Sequence, residues 1–121
     1  MSARILVIDD IDANVRLLEA KLTADYYEVL TATDGVTGLA IAASEQPDII
    51  LLDVMMPGMD GFQVCRRLKE DPATRHIPVI AVTAFAMKGD EERIREGGCE
   101  AYISKPISVS HFLDTVRRFL G

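Results

Sequence analysis

Asp48-Ile-Ile-Leu-Leu-Asp53 is a run of four apolar residues that stands between two acidic ones. Successive side chains of a strand point to opposite faces of its sheet, so as a strand this run is apolar on both faces. Strands of that kind are typical of parallel sheets that helices cover on each side. The run therefore predicts a central strand of an α/β fold.

The same alternation of short apolar runs and longer amphipathic ones extends in both directions from this strand. We predict further strands at Arg4–Ile8, Glu28–Ala32, Pro78–Val82 and Ala101–Ser104. Apolar residues at helical spacing, caps and breakers predict helices at about residues 14–23, 35–43, 60–70 and 109–120, with Asp34 capping the second. A short charged helix is expected at residues 90–96, closed by two glycines. Five strands alternating with five helices favour an open parallel sheet with right-handed crossovers.

Composition and charge narrow the classes of function. The length of 121 residues suits one domain over residues 1–121, and 49% hydrophobic residues suffice for a core. A net charge of −6 argues against direct nucleic-acid binding. The apolar run after Arg4 is too short for a signal peptide or a membrane span, so we expect a cytoplasmic protein that does not contact a membrane. Cys65 and Cys99 lack CxxC spacing, which favours free thiols over a disulfide or a metal site.

Polar residues follow the predicted strands at the point where each strand ends. Asp9 and Asp10 follow the first strand, Asp53 ends the third, Thr83 ends the fourth and Lys105 follows the fifth. In open α/β sheets, ligands bind beyond the carboxyl ends of the strands. If the strands are parallel, these five residues lie around one pocket.

The charges of this pocket predict its chemistry. Three carboxylates at about 5 Å separation and an effective dielectric near 20 repel by roughly 3 kcal/mol a pair. Lys105 offsets one charge, and a divalent cation offsets the other two. Oxygen ligands suit Mg²⁺ best, with Mn²⁺ as a substitute. A nucleophilic carboxylate, a hard cation, a hydroxyl and an ammonium are the parts of a phosphoryl-transfer site.

Each of these residues also has a purely structural explanation. The pair Asp9-Asp10 could form only a helix-capping turn, and Asp53 could only terminate a strand. Thr83 is of a type common in strands, and a lysine before proline is usually a solvated surface residue. These separate explanations do not account for the placement of all five residues at strand ends, and that placement favours a functional site.

With these residues the sequence resembles the receiver domains of two-component response regulators. The resemblance runs from Arg4 to Leu120 and rests on Asp9-Asp10, the segment from Asp53 to Gly61, Thr83-Ala84 and Lys105-Pro106, in order and spacing. It implies a flavodoxin-like (βα)5 fold, a five-stranded parallel sheet of order 2-1-3-4-5 with helices on both faces. Residues up to about 75 and from about 80 onward resemble two different branches of the family.

The resemblance implies a role for each residue of the pocket. A histidine kinase or phosphotransfer protein would phosphorylate Asp53, and Thr83 and Lys105 would contact the phosphoryl oxygens. Mg²⁺ would be bound directly by Asp53, by Asp10 and by the main-chain carbonyl of Met55. Asp9 would act largely through water. The domain would assist its own phosphorylation and dephosphorylation without being an enzyme in its own right.

The resemblance also implies how the signal leaves the domain. Thr83 and Tyr102 would form a conformational switch, and residues 84–120 would contact downstream protein targets. Since the chain ends directly after the last predicted helix, we expect a receiver with no attached output domain that signals by protein–protein contact.

Two other classes of protein use related sites. A phosphatase with an aspartate nucleophile needs a second aspartate two residues further on, where this chain has Met55. A flavodoxin-like cofactor binder needs a loop rich in glycine or hydroxyl groups after the first strand to hold phosphate. Here that loop reads Asp9-Asp10-Ile11-Asp12, which would repel a phosphate unless a metal were present.

Overall fold

The computed structural model describes residues 3–53, 61–83, 99–104 and 109–120. They form five strands, which are β1 (Arg4–Ile8), β2 (Glu28–Ala32), β3 (Ile49–Asp53), β4 (Val79–Thr83) and β5 (Ala101–Ser104). Four helices complete the described part, namely α1 (Asp12–Ala24), α2 (Gly35–Glu45), α3 (Gly61–Glu70) and α4 (Val109–Leu120). The helix expected at residues 90–96 lies outside the described residues.

The five strands form one parallel sheet of order β2-β1-β3-β4-β5. This confirms the fold class and the strand order. The register sets the carboxyl ends of the strands side by side. Ile8 pairs with Leu52, Asp53 pairs with Val82, and Thr83 pairs with Ser104.

The core consists of two apolar layers, one on each face of the sheet. Ile50 and Leu52 of β3 belong to the layer that includes α2 and α3, whereas Ile49 and Leu51 belong to the layer that includes α1 and α4. All five residues of β3 are buried. Helices on both faces therefore account for the lack of polar alternation in this strand.

Two side chains define the ends of α2. Asp34 caps its start, because the carboxylate accepts hydrogen bonds from the backbone N–H of Thr37 at 2.7 Å and from its hydroxyl at 2.9 Å. Gln46 ends the helix in the left-handed region at φ 50°, and its amide donates to the carbonyl oxygen of Ala73 at 2.9 Å. The helix runs two residues further than predicted, since the left-handed turn lies at Gln46.

Gly38 lets α2 approach the sheet closely. A Cβ at this position would lie 2.5 Å from Cδ1 of Ile8, the last residue of β1. The short distance fixes the position of α2 against the strand that leads to Asp9. Among the described helices, none has the length and apolar character that spanning a membrane would require.

Candidate functional site

The two acidic residues after β1 are placed by the sheet itself. The backbone N–H of Asp9 donates to the carbonyl oxygen of Ala32 at 3.1 Å, which extends the pairing of β1 with β2 by one step. Because Ile8 and Leu52 are paired, the residues that follow them, Asp9 and Asp53, lie at the same level of neighbouring strands.

Three carboxylates meet at this edge of the sheet. One oxygen from each of Asp9, Asp10 and Asp53 lies within 4.8 Å of the other two. Asp9 and Asp53 are each only 3% exposed, whereas Asp10 is exposed to solvent. The Oδ1 atom of Asp9 accepts a hydrogen bond from the backbone N–H of Ile11 at 2.9 Å, which holds the turn into α1. The cluster therefore has two buried members and one that faces water.

The arrangement suits a small, hard cation. At 4.8 Å and an effective dielectric near 20, the buried carboxylates of Asp9 and Asp53 repel by roughly 3 kcal/mol, which a cation bound at the cluster would offset. All three donors are carboxylate oxygens, the ligands that Mg²⁺ prefers, and the exposed side of Asp10 leaves room for the waters that Mg²⁺ retains. The donor set fits the predicted metal.

The other predicted site residues are placed only in part. The backbone of Thr83 ends β4 one residue beyond the partner of Asp53, and Tyr102 lies on β5 opposite Ala81. The side chains of both lie outside the description, as do Met55 and Lys105 entirely. The structure thus brings together the three aspartates, and the roles assigned to all seven residues stay predictions.

A second polar cluster was not foreseen from the sequence. The Lys69 ammonium lies 2.5 Å from a carboxylate oxygen of Glu100, and the Sγ atoms of Cys65 and Cys99 lie 2.9 Å apart. No local pattern in the sequence pairs these residues, because the two segments that carry them are more than thirty positions apart.

The family model of the response regulator receiver domain matches residues 5–117. This chain belongs to that family. Receivers are signalling domains of two-component systems rather than classical enzymes, and they bind Mg²⁺ in an acidic pocket. Asp9, Asp10 and Asp53 form an acidic cluster at the carboxyl edge of the sheet of this receiver.

Two curated relatives illustrate the similarity. The response regulator PleD of Caulobacter vibrioides is 68% identical over 107 residues, which are 88% of this chain and 24% of PleD. This chain therefore spans about a quarter of that relative. The polar-differentiation response regulator DivK of Brucella ovis is 49% identical over 121 residues, which are 100% of this chain and 98% of DivK.

A solved structure shares the fold of this chain. The receiver domain of the sensor histidine kinase PA1611 from Pseudomonas aeruginosa matches with a TM-score of 0.92 and 30% identity, over 100% of this chain and 99% of that one. That structure holds a magnesium ion in its active-site cleft.

Proposed function

We propose that this receiver accepts a phosphoryl group on Asp53 from a histidine kinase or a phosphotransfer protein, in a reaction that depends on Mg²⁺. One observation carries the proposal. Asp53 ends the central strand β3 and places its carboxylate within 4.8 Å of two others at the carboxyl edge of the sheet. A carboxylate held there can attack phosphorus in line while the leaving group departs on the opposite side.

The three aspartates would have different roles in binding the cation. Asp53 and Asp10 would ligate Mg²⁺ directly, together with the main-chain carbonyl of Met55, and Mn²⁺ would substitute. One oxygen of Asp9 already accepts the N–H of Ile11, which favours a contact through water for this residue. When bound, the cation neutralises charge that would otherwise repel an incoming phosphoryl group.

Two further residues complete the proposed chemistry. The hydroxyl of Thr83 and the ammonium of Lys105 contact the phosphoryl oxygens, and they stabilise the charge on those oxygens as the phosphoryl group moves to Asp53. The position of Thr83 at the end of β4, next to the strand that carries Asp53, supports this role.

The output begins at Thr83. Once Asp53 is phosphorylated, the Thr83 hydroxyl moves inward to donate to the new oxygens, and the Tyr102 ring fills the space it leaves. Residues 84–120 then present a changed surface to partner proteins. NMR spectra of the free protein and of the protein with a bound phosphoryl mimic provide the test, and shift changes confined to the pocket would contradict the switch.

Labelling by a small donor tests the phosphorylation site. We expect acetyl phosphate with Mg²⁺ to add one phosphoryl group to the parent, seen by intact mass, and chelation of Mg²⁺ to abolish the addition. Asp53→Asn should take up none, because a carboxamide is not a nucleophile at this position. Asp48→Asn, directly before the first residue of β3, is the matched control and should label like the parent. Unchanged labelling of Asp53→Asn would show that another residue accepts the phosphoryl group.

A further inference from the structure

Two cysteines that are far apart in sequence meet in the core. Cys65 lies on α3, and Cys99 lies two residues before β5. Cys65 is 0% exposed and Cys99 is 5% exposed. Both are free thiols, and the Cys99 thiol donates a hydrogen bond to Sγ of Cys65 across 2.9 Å. The pair lies in the layer that α2 and α3 cover, whereas the phosphoryl pocket lies at the carboxyl edge of the sheet.

An ionic contact holds the same two segments together. Lys69 lies one helical turn after Cys65, and Glu100 directly follows Cys99. The Lys69 ammonium contacts one oxygen of Glu100, and the other oxygen accepts the backbone N–H of Val79 at 2.6 Å. Both side chains are largely shielded from solvent, with 19% and 34% exposure. The two sulfur atoms are therefore held in contact by a second, independent link between α3 and the start of β5.

We propose that Cys65 and Cys99 form a redox modification site, a dithiol that a hydroperoxide converts reversibly into an intramolecular disulfide. A disulfide bond is about 2.05 Å long, so the sulfurs need to approach by less than about 1 Å from their separation of 2.9 Å. The modification goes beyond the phosphoryl chemistry and involves none of its residues.

The two thiols differ in their readiness to react. The pKa of Cys65 is lowered, chiefly by the hydrogen bond from Cys99 and also by the positive charge of Lys69, while burial and the charge of Glu100 oppose this effect. The same hydrogen bond and burial raise the pKa of Cys99, which keeps its proton. Because the thiolate is the nucleophile, Cys65 is the residue that attacks the oxidant, and Cys99 is the one that resolves the product.

The reaction balances in two steps. The Cys65 thiolate attacks one oxygen of hydrogen peroxide, the O–O bond breaks, and a sulfenic acid forms while the departing hydroxide takes up a proton as water. Cys99 then attacks the sulfenic sulfur, the S–S bond forms, and the second oxygen leaves as water with the proton from Cys99. Two thiols have lost two electrons, and one peroxide has become two waters. An external dithiol reverses the change by thiol–disulfide exchange.

The disulfide would tie α3 covalently to the segment that leads into β5, the strand that carries Tyr102. Closing the loop between Cys65 and Cys99 restricts the unfolded chain, so the oxidised protein should unfold at a higher temperature, by on the order of 10 °C.

The test uses the whole chain with stoichiometric hydrogen peroxide, followed by alkylation in denaturant and peptide mapping. We expect the two free thiols of the parent to disappear, one linked peptide that joins Cys65 to Cys99, and full recovery of both thiols with dithiothreitol. Peptide mapping also distinguishes formation of the disulfide from oxidation of methionine side chains by the peroxide. Two alkylated thiols after treatment, or sulfinic acids without the linked peptide, would overturn the proposal.

Single variants separate the two roles. In Cys99→Ser, the sulfenic acid on Cys65 should persist and be trapped by dimedone. In Cys65→Ser, the remaining thiol should react about tenfold more slowly, because burial and the charge of Glu100, which the substitution leaves in place, still raise the pKa of Cys99. Equal reactivity of the two variants would refute the assignment of roles. The parent measurement stands by itself if a variant fails to fold, and it does not depend on whether Asp53 is phosphorylated.

Discussion

Asp10→Asn should make the metal-free protein more stable while weakening its response to Mg²⁺. The carboxylate of Asp10 lies within 4.8 Å of the oxygens of both Asp9 and Asp53, so the substitution removes two of the three repulsive pairs. It leaves the buried pair and the hydrogen bond from Ile11 to Asp9 in place. Asp10 therefore favours binding of the cation but lowers the free energy of unfolding when the cation is absent.

The size of the effect follows from the distance. At 4.8 Å, each pair of unit charges repels by about 1 kcal/mol in a dielectric of 80 and by about 3 kcal/mol in one of 20. Asp10 is exposed to solvent, so the lower value applies to its two pairs. Residual repulsion in the unfolded chain reduces the difference further. We expect a gain of about 1–2 kcal/mol in the free energy of unfolding.

Urea unfolding at pH 7, with a chelator and with Mg²⁺, measures both parts of the prediction. At a concentration 100 times its dissociation constant, Mg²⁺ stabilises the parent by about 2.7 kcal/mol, and Asp10→Asn should lose most of that gain. Asp114→Asn makes the same chemical change on the exposed surface of α4 and serves as the control. The reasoning is refuted if Asp10→Asn is no more stable than Asp114→Asn without metal, or keeps the full response to Mg²⁺.

Three further predictions address packing, pH and the lifetime of the phosphorylated state. Gly38→Ala should lower the free energy of unfolding by about 1–3 kcal/mol in urea, because its Cβ would overlap Ile8. The hydrogen bonds from Thr37 lower the pKa of Asp34, so this cap should stabilise the protein above about pH 4 and stop doing so as the pH falls. The free energy of unfolding of Asp34→Ala should lack that pH dependence. Met55 and Phe85 stand two residues after Asp53 and Thr83, where we expect them to flank the path of the water that hydrolyses the phosphoryl group. The double variant Met55→Asn, Phe85→Glu should lose this group about ten to a hundred times faster than the parent in saturating Mg²⁺, because polar side chains can orient that water. Equal decay rates would show that the two positions do not control hydrolysis.

Most of the fold could be predicted from local patterns. The apolar run from Ile49 to Leu52 predicted a central parallel strand, and the structure confirms it together with the other four strands. Helix ends were less accurate. The first helix begins at Asp12 rather than near Asn14, because a helix can start at a polar residue that the apolar spacing does not include.

The sequence could predict that the three aspartates lie together, but not which of them are buried. In a parallel sheet, residues that follow neighbouring strands must lie at one edge, so Asp9, Asp10 and Asp53 could be grouped without coordinates. The sequence contains no difference between Asp9 and Asp10 that shows which one is buried. The structure decides this, because Asp9 continues the pairing with Ala32 whereas Asp10 lies beyond it.

By itself, the sequence determined the alternation of helix and strand and the grouping of the acidic residues, since each depends on periodicity or on the position of a residue relative to its strand. The strand order was implied by the resemblance to the receiver family. Only the tertiary structure decided that Cys65 contacts Cys99 and that Lys69 contacts Glu100. These contacts join residues more than thirty positions apart. They depend on the angle and depth at which α3 packs against the sheet, which is set by the shapes of many side chains together and has no signature in any short segment.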